Sequence, residues 1–248
     1  MLLDYLEELH SLDTIESVWN LHLGAMAEFG FDRLLYASTR NRTENSYGSH
    51  RDGMILTNHD PDYMVHFVEG GLYSESPMFK WAADNTGAGS WANAARYFDP
   101  TNQRQLELVS LNAKFGLSAG YTISFRESSS RNKSAIALVA PGDVSQQDVD
   151  ERWQTHGRVL TQMNYCLHHK LITLPYDPPD RRLTRRQREV LEWVGNGKTT
   201  QDIATIMGLT SATIEKHLRL ARETLDVDTT AQAVLKASFN NQIFVMRQ

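Results

Sequence analysis

Hydroxyl-bearing and basic side chains recur at helical spacing near the end of the chain, between residues 211 and 222. Ile214, Leu218, Ala221 and Leu225 define an apolar face of such a helix, so the polar side chains share the opposite, exposed face. Basic groups there can neutralise phosphates, and hydroxyls and imidazoles can hydrogen-bond to base edges. The candidates for this contact chemistry are Lys198, Thr199, Thr200, Ser211, Thr213, Lys216, His217, Arg219 and Arg222. A solvated face on an ordinary helical bundle would carry the same residue types, so the pattern alone leaves both interpretations open.

Side chains suited to catalysis or metal binding are also present, but their sequence settings do not fit such sites. Ser128, Ser129 and Ser130 lie in a predicted turn that lacks the Gly-x-Ser-x-Gly setting of a nucleophile. Two adjacent histidines at 168–169 diverge by about 100° on a helix and make a poor metal pair. The single cysteine, Cys166, excludes a disulfide framework and a multi-cysteine metal site. We therefore expect neither an enzyme nor a bound metal.

Four helices are predicted to position the candidate contact residues. Thr184 and Gln187 form a capping box at the start of the first helix, and Thr199 caps the second. Gly208 suits the left-handed backbone of a tight turn before the third helix, which is expected over 211–225. A helix, a short turn and a second helix form the helix-turn-helix plan, in which the second helix enters the major groove of DNA.

The charge distribution separates this segment from the rest of the chain. Residues 181–248 carry eleven basic and seven acidic side chains, a net charge of +4, whereas residues 1–180 carry −9. A small basic module behind a larger acidic one is typical of a DNA-binding module on a sensor or partner domain. Three prolines within 175–179 exclude a helix between the two parts and predict an extended linker.

The front part is predicted to mix helices with strands. Helices are expected over 15–29, 61–67, 76–84, 100–115 and 146–170. Strands are expected over 31–37, 54–56, 121–125 and 134–140, the last two forming an antiparallel hairpin. Asp13 and Glu16 predict a capping box at the first of these helices. The apolar stripe along the last helix must bury against its own sheet or against a second subunit, and both interpretations stay open.

The last quarter of the chain resembles the LuxR-type helix-turn-helix. The stretches that carry the resemblance are residues 183–193, 197–199, 202–204 and 213–218. Where that family usually has Thr-Pro-Arg-Glu, this chain has Thr-Arg-Arg-Gln at 184–187, and Gln187 can still close the capping box. The resemblance implies that this domain binds DNA.

The front domain resembles the autoinducer-binding domain of quorum-sensing regulators. Residues 115–123 are similar to that family's Phe-Gly-x-x-x-Gly-x-Thr segment, and Trp91 stands where a pocket tryptophan is expected. Tyr63 and Phe67 take the positions of two pocket aromatics spaced four apart, on one helix face. The resemblance implies a ligand-binding set made of Tyr36, Tyr63, Phe67, Ser76, Trp91, Tyr121 and Ala137. It also implies that the bound molecule is an acyl-homoserine lactone or an analogue.

Several pocket positions depart from that family. Ser76 stands before Pro77 where receptors for acyl-homoserine lactones have an aspartate, whose carboxylate accepts a hydrogen bond from the ligand amide. Phe67 lacks a hydroxyl, and so do residues 136–138, so the pocket is expected to be more apolar than usual. Three interpretations follow: a receptor for an acyl-homoserine lactone with altered polar contacts, a receptor for a different and more apolar small molecule, or a ligand-independent regulator whose front domain only dimerises.

These inferences predict an α+β fold, an α/β/α sandwich around an antiparallel sheet, followed by a small all-α domain of four helices. Residues 1–173 are expected to bind a small ligand and to dimerise, 174–182 to be a linker, and 183–248 to bind DNA. The expected partners are double-stranded DNA, a second copy in a homodimer, a small-molecule signal and RNA polymerase. The sequence contains no run of about 18 apolar residues, so no membrane span is predicted. A cytoplasmic location is expected.

Overall fold

The chain divides into two compact units in its computed structural model, which describes residues 2–40, 42–43, 52–178 and 181–245. Residues 1–172 form the first unit and residues 173–248 the second. The first unit combines helices with a single five-stranded sheet, and helices account for the regular structure described in the second.

The helices and strands predicted for the first unit occur in the predicted order, and a helix over residues 2–11 that was not predicted precedes them. The helices are α1 (Leu2–Ser11), α2 (Ile15–Glu28), α3 (Pro61–Met64), α4 (Pro77–Asp84), α5 (Gln103–Lys114) and α6 (Gln146–Thr173). The strands are β1 (Arg33–Thr39), β2 (Met54–Thr57), β3 (Gly87–Ser90), β4 (Gly120–Ser124) and β5 (Lys133–Val139). A π-helical turn over Val65–Glu69 continues α3, and 3-10 helices cover Leu72–Glu75 and Trp91–Tyr97.

The sheet is antiparallel throughout, with strand order β2-β1-β5-β4-β3. Strands β4 and β5 form the predicted hairpin, in which Ile123 lies opposite Ile136. Because successive side chains of a strand point to opposite faces, the sheet presents two surfaces, one toward α6 and one toward α3, α4 and α5. The predicted α/β/α sandwich is therefore confirmed.

The apolar stripe of α6 is buried against its own sheet. Tyr121 of β4 stacks on Trp153 of α6, with ring centroids 3.9 Å apart. The hydroxyl of Tyr36 on β1 is 3.0 Å from Nδ1 of His168. The stripe residues that are at most 1% exposed are Val149, Leu160, Met163, Leu167 and Leu171. Burial on the sheet thus accounts for this face of α6.

A buried polar chain joins α1, α2 and α6. The Tyr5 hydroxyl lies 2.8 Å from Nδ1 of His22, and Nε2 of His22 lies 3.1 Å from Oδ1 of Asn164. Since Oδ1 can only accept, Nε2 carries the imidazole proton and Nδ1 accepts from Tyr5. Burial lowers the pKa of His22 to about 4, against the opposing effect of the Asn164 hydrogen bond. The imidazole is therefore neutral at pH 7.

Two local expectations for this unit are corrected. The side chain that caps α2 belongs to Thr14, which accepts from the backbone N–H of Ser17, rather than to Asp13. Strand β3 was also not predicted, because its four residues Gly87–Ser90 lack apolar alternation. Its small residues have a packing cause, because a Cβ on Gly89 would lie 2.6 Å from the Trp81 ring.

The second unit contains the four predicted helices. They are α7 (Arg185–Gly195), α8 (Thr200–Met207), α9 (Ser211–Leu225) and α10 (Thr230–Phe239). Thr184 and Gln187 form the predicted capping box, and Thr199 caps α8. One apolar core holds the helices together, and its fully buried members include Val190, Leu191, Ile203, Ile214, Leu225 and Ala233.

The proline-rich segment predicted as a linker lies within the second unit. It is not helical up to residue 178, as expected, and Pro179 and Asp180 lie outside the described residues. Leu174 is buried and its carbonyl accepts from the Asn241 side chain at 3.1 Å. The Gln242 amide donates to the carbonyl of Tyr176 at 3.1 Å. These bonds dock the segment onto the residues that follow α10.

Candidate functional site

A cavity of about 560 Å³ lies in the first unit, on the face of the sheet opposite α6. Its floor comes from alternate residues of β1 and β5, such as Leu35, Ala37 and Ala135. Its roof comes from α3, α4, α5 and the turns between them. The described lining is mainly apolar and aromatic, which suits a small molecule with a large hydrocarbon part.

Five of the predicted ligand-binding residues line this cavity together. They are Tyr63, Phe67, Ser76, Trp91 and Ala137. The Tyr63 and Phe67 rings stack with centroids 5.2 Å apart, across the junction of α3 with the π-helical turn. Their shared helix face, predicted from the spacing of four, is therefore present as one aromatic wall.

Tyr36 and Tyr121 do not line the cavity, which corrects two of the predicted ligand-binding residues. Both lie on the opposite face of the sheet, where Tyr36 meets His168 and Tyr121 stacks on Trp153. The physical reason is strand alternation, because a neighbour of a floor residue must point away from the cavity. Leu35 and Thr122, next to each of them, occupy the lining instead.

Hydrogen bonds within the protein already engage several polar groups of the lining. The indole Nε1 of Trp91 donates to Oγ1 of Thr122 at 3.0 Å. The Tyr63 hydroxyl donates to Oδ1 of Asn112 at 3.1 Å, and burial raises the pKa of this hydroxyl. Ser76 is the N-cap of α4 and accepts from the backbone N–H of Phe79 at 3.4 Å. The Trp91 indole and the Tyr63 hydroxyl thus have partners within the protein.

His59 also lines the cavity, and it is not among the predicted ligand-binding residues. It is 8% exposed, and its ring stacks on Tyr63 with centroids 5.2 Å apart. Burial, together with the nearby cation of Arg33, lowers the pKa of His59 to about 4, so the ring is neutral at pH 7. The signal for it was the spacing of four residues that joins positions 59, 63 and 67.

The second candidate surface lies on α8 and α9. Helix α8 ends at Met207 and is followed by Gly208, whose φ of 65° is left-handed as predicted. Thr210 caps α9 by accepting from the Thr213 N–H. This tight turn is the predicted helix-turn-helix geometry. On α9, Ser211, Lys216 and Arg219 are exposed. Their side chains are open to a macromolecular partner.

The other predicted contact residues have mixed surroundings. Thr199 is engaged in the capping box with Asp202, and the Thr200 hydroxyl donates to Glu215 at 3.0 Å, which connects α8 to α9. Arg222 donates to the Thr230 hydroxyl at 3.0 Å, at the start of α10. Lys198 is exposed, whereas Thr213, His217 and Arg222 are half-buried. Arg219 pairs with Glu223 across one exposed turn at 2.6 Å.

Among the described residues, no group of three or more His, Cys, Asp or Glu side chains is placed to hold a metal ion. Within the same residues, no helix combines the length and apolarity that crossing a bilayer demands.

Each unit matches a protein family. The autoinducer-binding domain family matches residues 14–171, and the luxR family of bacterial regulatory proteins matches residues 181–237. The chain is similar to RpaR of Rhodopseudomonas palustris, an HTH-type quorum sensing-dependent transcriptional regulator. The two are 28% identical over 180 residues, which cover 71% of this chain and 69% of RpaR.

Two solved structures share the fold. CepR2 of Burkholderia cenocepacia, described as an N-acylhomoserine lactone dependent LuxR family transcription factor, superposes with a TM-score of 0.54 at 19% identity. That match covers 68% of this chain and 93% of CepR2. Escherichia coli SdiA in complex with octanoyl-rac-glycerol gives a TM-score of 0.52 at 14% identity, covering 99% of this chain and 96% of SdiA. With both family matches in place on a cavity-bearing unit and a helix-turn-helix unit, the chain belongs to the LuxR family of autoinducer-responsive transcriptional regulators.

Proposed function

We propose that the chain binds a small, largely apolar signal molecule in the cavity of its first unit and binds DNA as a homodimer through α9. In this proposal it acts in the cytoplasm with RNA polymerase at its target promoters. The observation that carries the proposal is the cavity of about 560 Å³, lined by Tyr63, Phe67, Ser76 and Trp91. A ligand shifts the protein toward its DNA-competent state only by its differential affinity for that state.

An acyl-homoserine lactone is the first candidate signal. Support comes from the family and from CepR2, whose description names dependence on an N-acylhomoserine lactone. In this candidate, the acyl chain lies along the apolar floor of Ala135 and Ala137, and the head group faces the aromatic wall.

A neutral acyl compound without an amide is the second candidate. Ser76 supplies a hydroxyl where a carboxylate would accept an amide N–H, and a charge-assisted hydrogen bond is about twice as strong as a neutral one. The described lining residues include no Asp or Glu. The SdiA complex contains octanoyl-rac-glycerol, an ester of this class.

The test is selection of binding sites from random double-stranded DNA by the full chain, with and without N-octanoyl-homoserine lactone or 1-octanoylglycerol. We expect enrichment of a pseudo-palindrome whose half-sites lie about one helical turn apart. We expect the enrichment to depend on one of the two compounds, and the ligand retained by the purified protein is then identified by mass spectrometry. Enrichment of no sequence, or of a single half-site, contradicts the proposal.

A further inference from the structure

One acidic side chain lies among the basic and hydroxyl-bearing residues of α9. Glu215 is exposed, and it shares a helix face with Arg219, which follows four residues later. A negative charge at a surface that binds DNA is repelled by the phosphates, so it lowers the affinity for the DNA backbone. A role for Glu215 at this surface must therefore lie in something other than backbone affinity.

Glu215 differs from two other glutamates of the second unit, which lie in ion pairs. Glu189 pairs with Arg186 at 2.7 Å, and Glu223 pairs with Arg219 at 2.6 Å. Arg219 lies one helical turn from Glu215 as well, but its guanidinium is turned to Glu223. Among the residues that the structure describes, no basic side chain forms an ion pair with Glu215.

The carboxylate of Glu215 is held in place by α8. The Thr200 hydroxyl donates to Oε1 of Glu215 at 3.0 Å, and Thr200 is the first residue of α8. The start of a helix carries partial positive charge, which favours an anion beside it. In the described part of the chain, Oε2 of Glu215 has no hydrogen-bond partner. One oxygen is thus fixed by the protein, and the other is left to accept from a partner outside it.

We propose that Glu215 is a base-reading residue that selects cytosine at one position of each half-site, and that Thr200 positions it. This inference rests on the proposed function, because it requires α9 to lie in the major groove of DNA. Glu215 is the fifth residue of α9, in the N-terminal part of the helix, whose side chains meet base edges in the helix-turn-helix plan.

Cytosine is the base whose major-groove edge suits a carboxylate. An ionised carboxylate only accepts hydrogen bonds. Cytosine presents its N4 amino group as a donor, whereas guanine and thymine present acceptors that repel the carboxylate. Adenine also has an amino donor, but its N7 acceptor lies beside it. A glutamate at this surface therefore gives up affinity for the DNA backbone and gains discrimination between bases.

The first test compares the sequences that the full chain and its variants select from random double-stranded DNA, with and without N-octanoyl-homoserine lactone or 1-octanoylglycerol. Glu215→Gln keeps the shape of the side chain and supplies an amide, the group that pairs with N6 and N7 of adenine. We expect the original chain to select cytosine at one position of each half-site, and the variant to select adenine there. Glu189→Gln on α7 is the matched control, because it removes the same charge and should keep the original sequence.

A gel-shift titration at fixed salt measures the discrimination. The two DNA duplexes are the selected site and a copy in which that C·G pair is changed to A·T in one half-site. The original chain should bind the changed site about 5- to 20-fold more weakly, the effect of one base contact, and Glu215→Gln less than about 2-fold more weakly. Should Glu215→Gln fail to fold, as judged by circular dichroism, Glu215→Ala replaces it and should show no preference at that position.

Thr200→Val tests the positioning residue, because it removes the hydroxyl and nearly keeps the size of the side chain. We expect it to reduce the preference for cytosine at the position that Glu215 reads and to leave every other position unchanged. A Thr200 hydroxyl that contacted a phosphate instead would weaken binding to all sequences alike. That result, or an unchanged preference for cytosine, would overturn the positioning role.

Failure of this inference is separable from failure of the proposed function. A chain that selects a pseudo-palindrome, and selects the same bases after Glu215→Gln and Glu215→Ala, retains the function and loses the base-reading residue. A chain whose selection ignores both acyl compounds, but whose preferred base changes with Glu215, retains the base-reading residue and loses the response to the ligand. Selection of no sequence in any arm overturns both.

Discussion

His22 is a single imidazole that joins three helices, and its neutrality couples folding to pH. Its folded pKa, lowered to about 4 by burial, lies below that of an unfolded histidine near 6.5. The unfolded chain therefore binds a proton between these values that the folded chain does not. The contribution of His22 to the free energy of unfolding is complete above pH 6.5. It is lost as the pH falls toward 4, by up to about 1.4 kcal/mol per pH unit.

The pH prediction is tested by urea unfolding at pH 7.5, 6.0 and 5.0. His22→Gln keeps polar groups near Tyr5 and Asn164 but does not titrate, so its free energy of unfolding should decline less steeply with acid. His66→Gln, at an exposed position, should keep the slope of the original chain. Equal slopes for His22→Gln and the original chain would contradict the assignment.

Ser76→Asp is expected to strengthen the response to an acyl-homoserine lactone. Aspartate is as good an N-cap as serine, so α4 should keep its start, while the new carboxylate can accept a ligand amide N–H. The measurement is a dose curve of ligand-dependent DNA binding with N-octanoyl-homoserine lactone.

The control for that substitution is Ser76→Asn, which has nearly the same shape without the charge. The Ser76→Asn variant should respond to the lactone less strongly than the Ser76→Asp variant. An unchanged dose curve for Ser76→Asp would favour the amide-free ligand class.

At the residue scale, the aromatic wall was predictable from the sequence. The face of the sheet on which Tyr36 and Tyr121 lie was not. Helical spacing alone put Tyr63 and Phe67 on one face. A strand offers two faces, and the sequence around Tyr36 is apolar on both, so only the packing of α6 decides which residue meets the cavity. The hydrogen bond from Trp91 to Thr122 depends on tertiary contact and has no local signal.

At the scale of the element, the turn between α8 and α9 depends on one left-handed residue. No atom lies within 4 Å of a Cβ built on Gly208, so Gly208→Ala strains only the backbone. We expect it to lower the free energy of unfolding of the second unit by about 1 kcal/mol.

Gly24 gives a matched comparison inside helix α2. A Cβ there also meets no atom within 4 Å, but the backbone is helical, so Gly24→Ala should stabilise the first unit by up to about 1 kcal/mol. Chemical unfolding of both variants checks the pair. Two changes of the same sign would refute the argument from backbone conformation.

The exposed basic residues of α9 should control DNA affinity. Lys216→Ala and Arg219→Ala each remove one positive charge, so each should weaken binding and lower the slope of log affinity against log salt by about 0.9 if the group contacts a phosphate. A gel-shift titration on the selected site at several salt concentrations measures both quantities.

Arg186→Ala on α7 is the charge-matched control, since Arg186 is exposed and pairs with Glu189 at 2.7 Å, much as Arg219 pairs with Glu223. It should change affinity and slope less than either α9 variant. The assignment of α9 to DNA would fail if the three variants behaved alike.

Element boundaries were predictable where caps and glycines mark them, as at Thr184, Thr199 and Gly208. Boundaries that depend on tertiary packing were not predictable from the sequence. Strand β3 consists of Gly, Ala, Gly and Ser because Trp81 packs on its glycine, and such a segment carries no alternation to detect.

At the scale of the whole molecule, two compact units with separate cores predict two unfolding transitions in calorimetry. A ligand held in the cavity of the first unit should raise that unit's transition alone. At a ligand concentration of 100 times Kd, the added stability is about 2.7 kcal/mol. A ligand that raised only the transition of the second unit would contradict this placement of the site.

The π-helical turn at Val65–Glu69 holds one residue more than an α-helical turn of the same height, closed by the Gly70 N–H on the Val65 carbonyl. Removal of one residue from it would let ordinary α-helical pairing resume. Deletion of His66 would place Phe67 three residues after Tyr63, a spacing that still keeps both side chains on one face of an α-helix, so the two rings would shift relative to each other along the wall. A single-codon deletion at this turn is thus a short evolutionary route to a differently shaped chamber, with every strand of the sheet untouched.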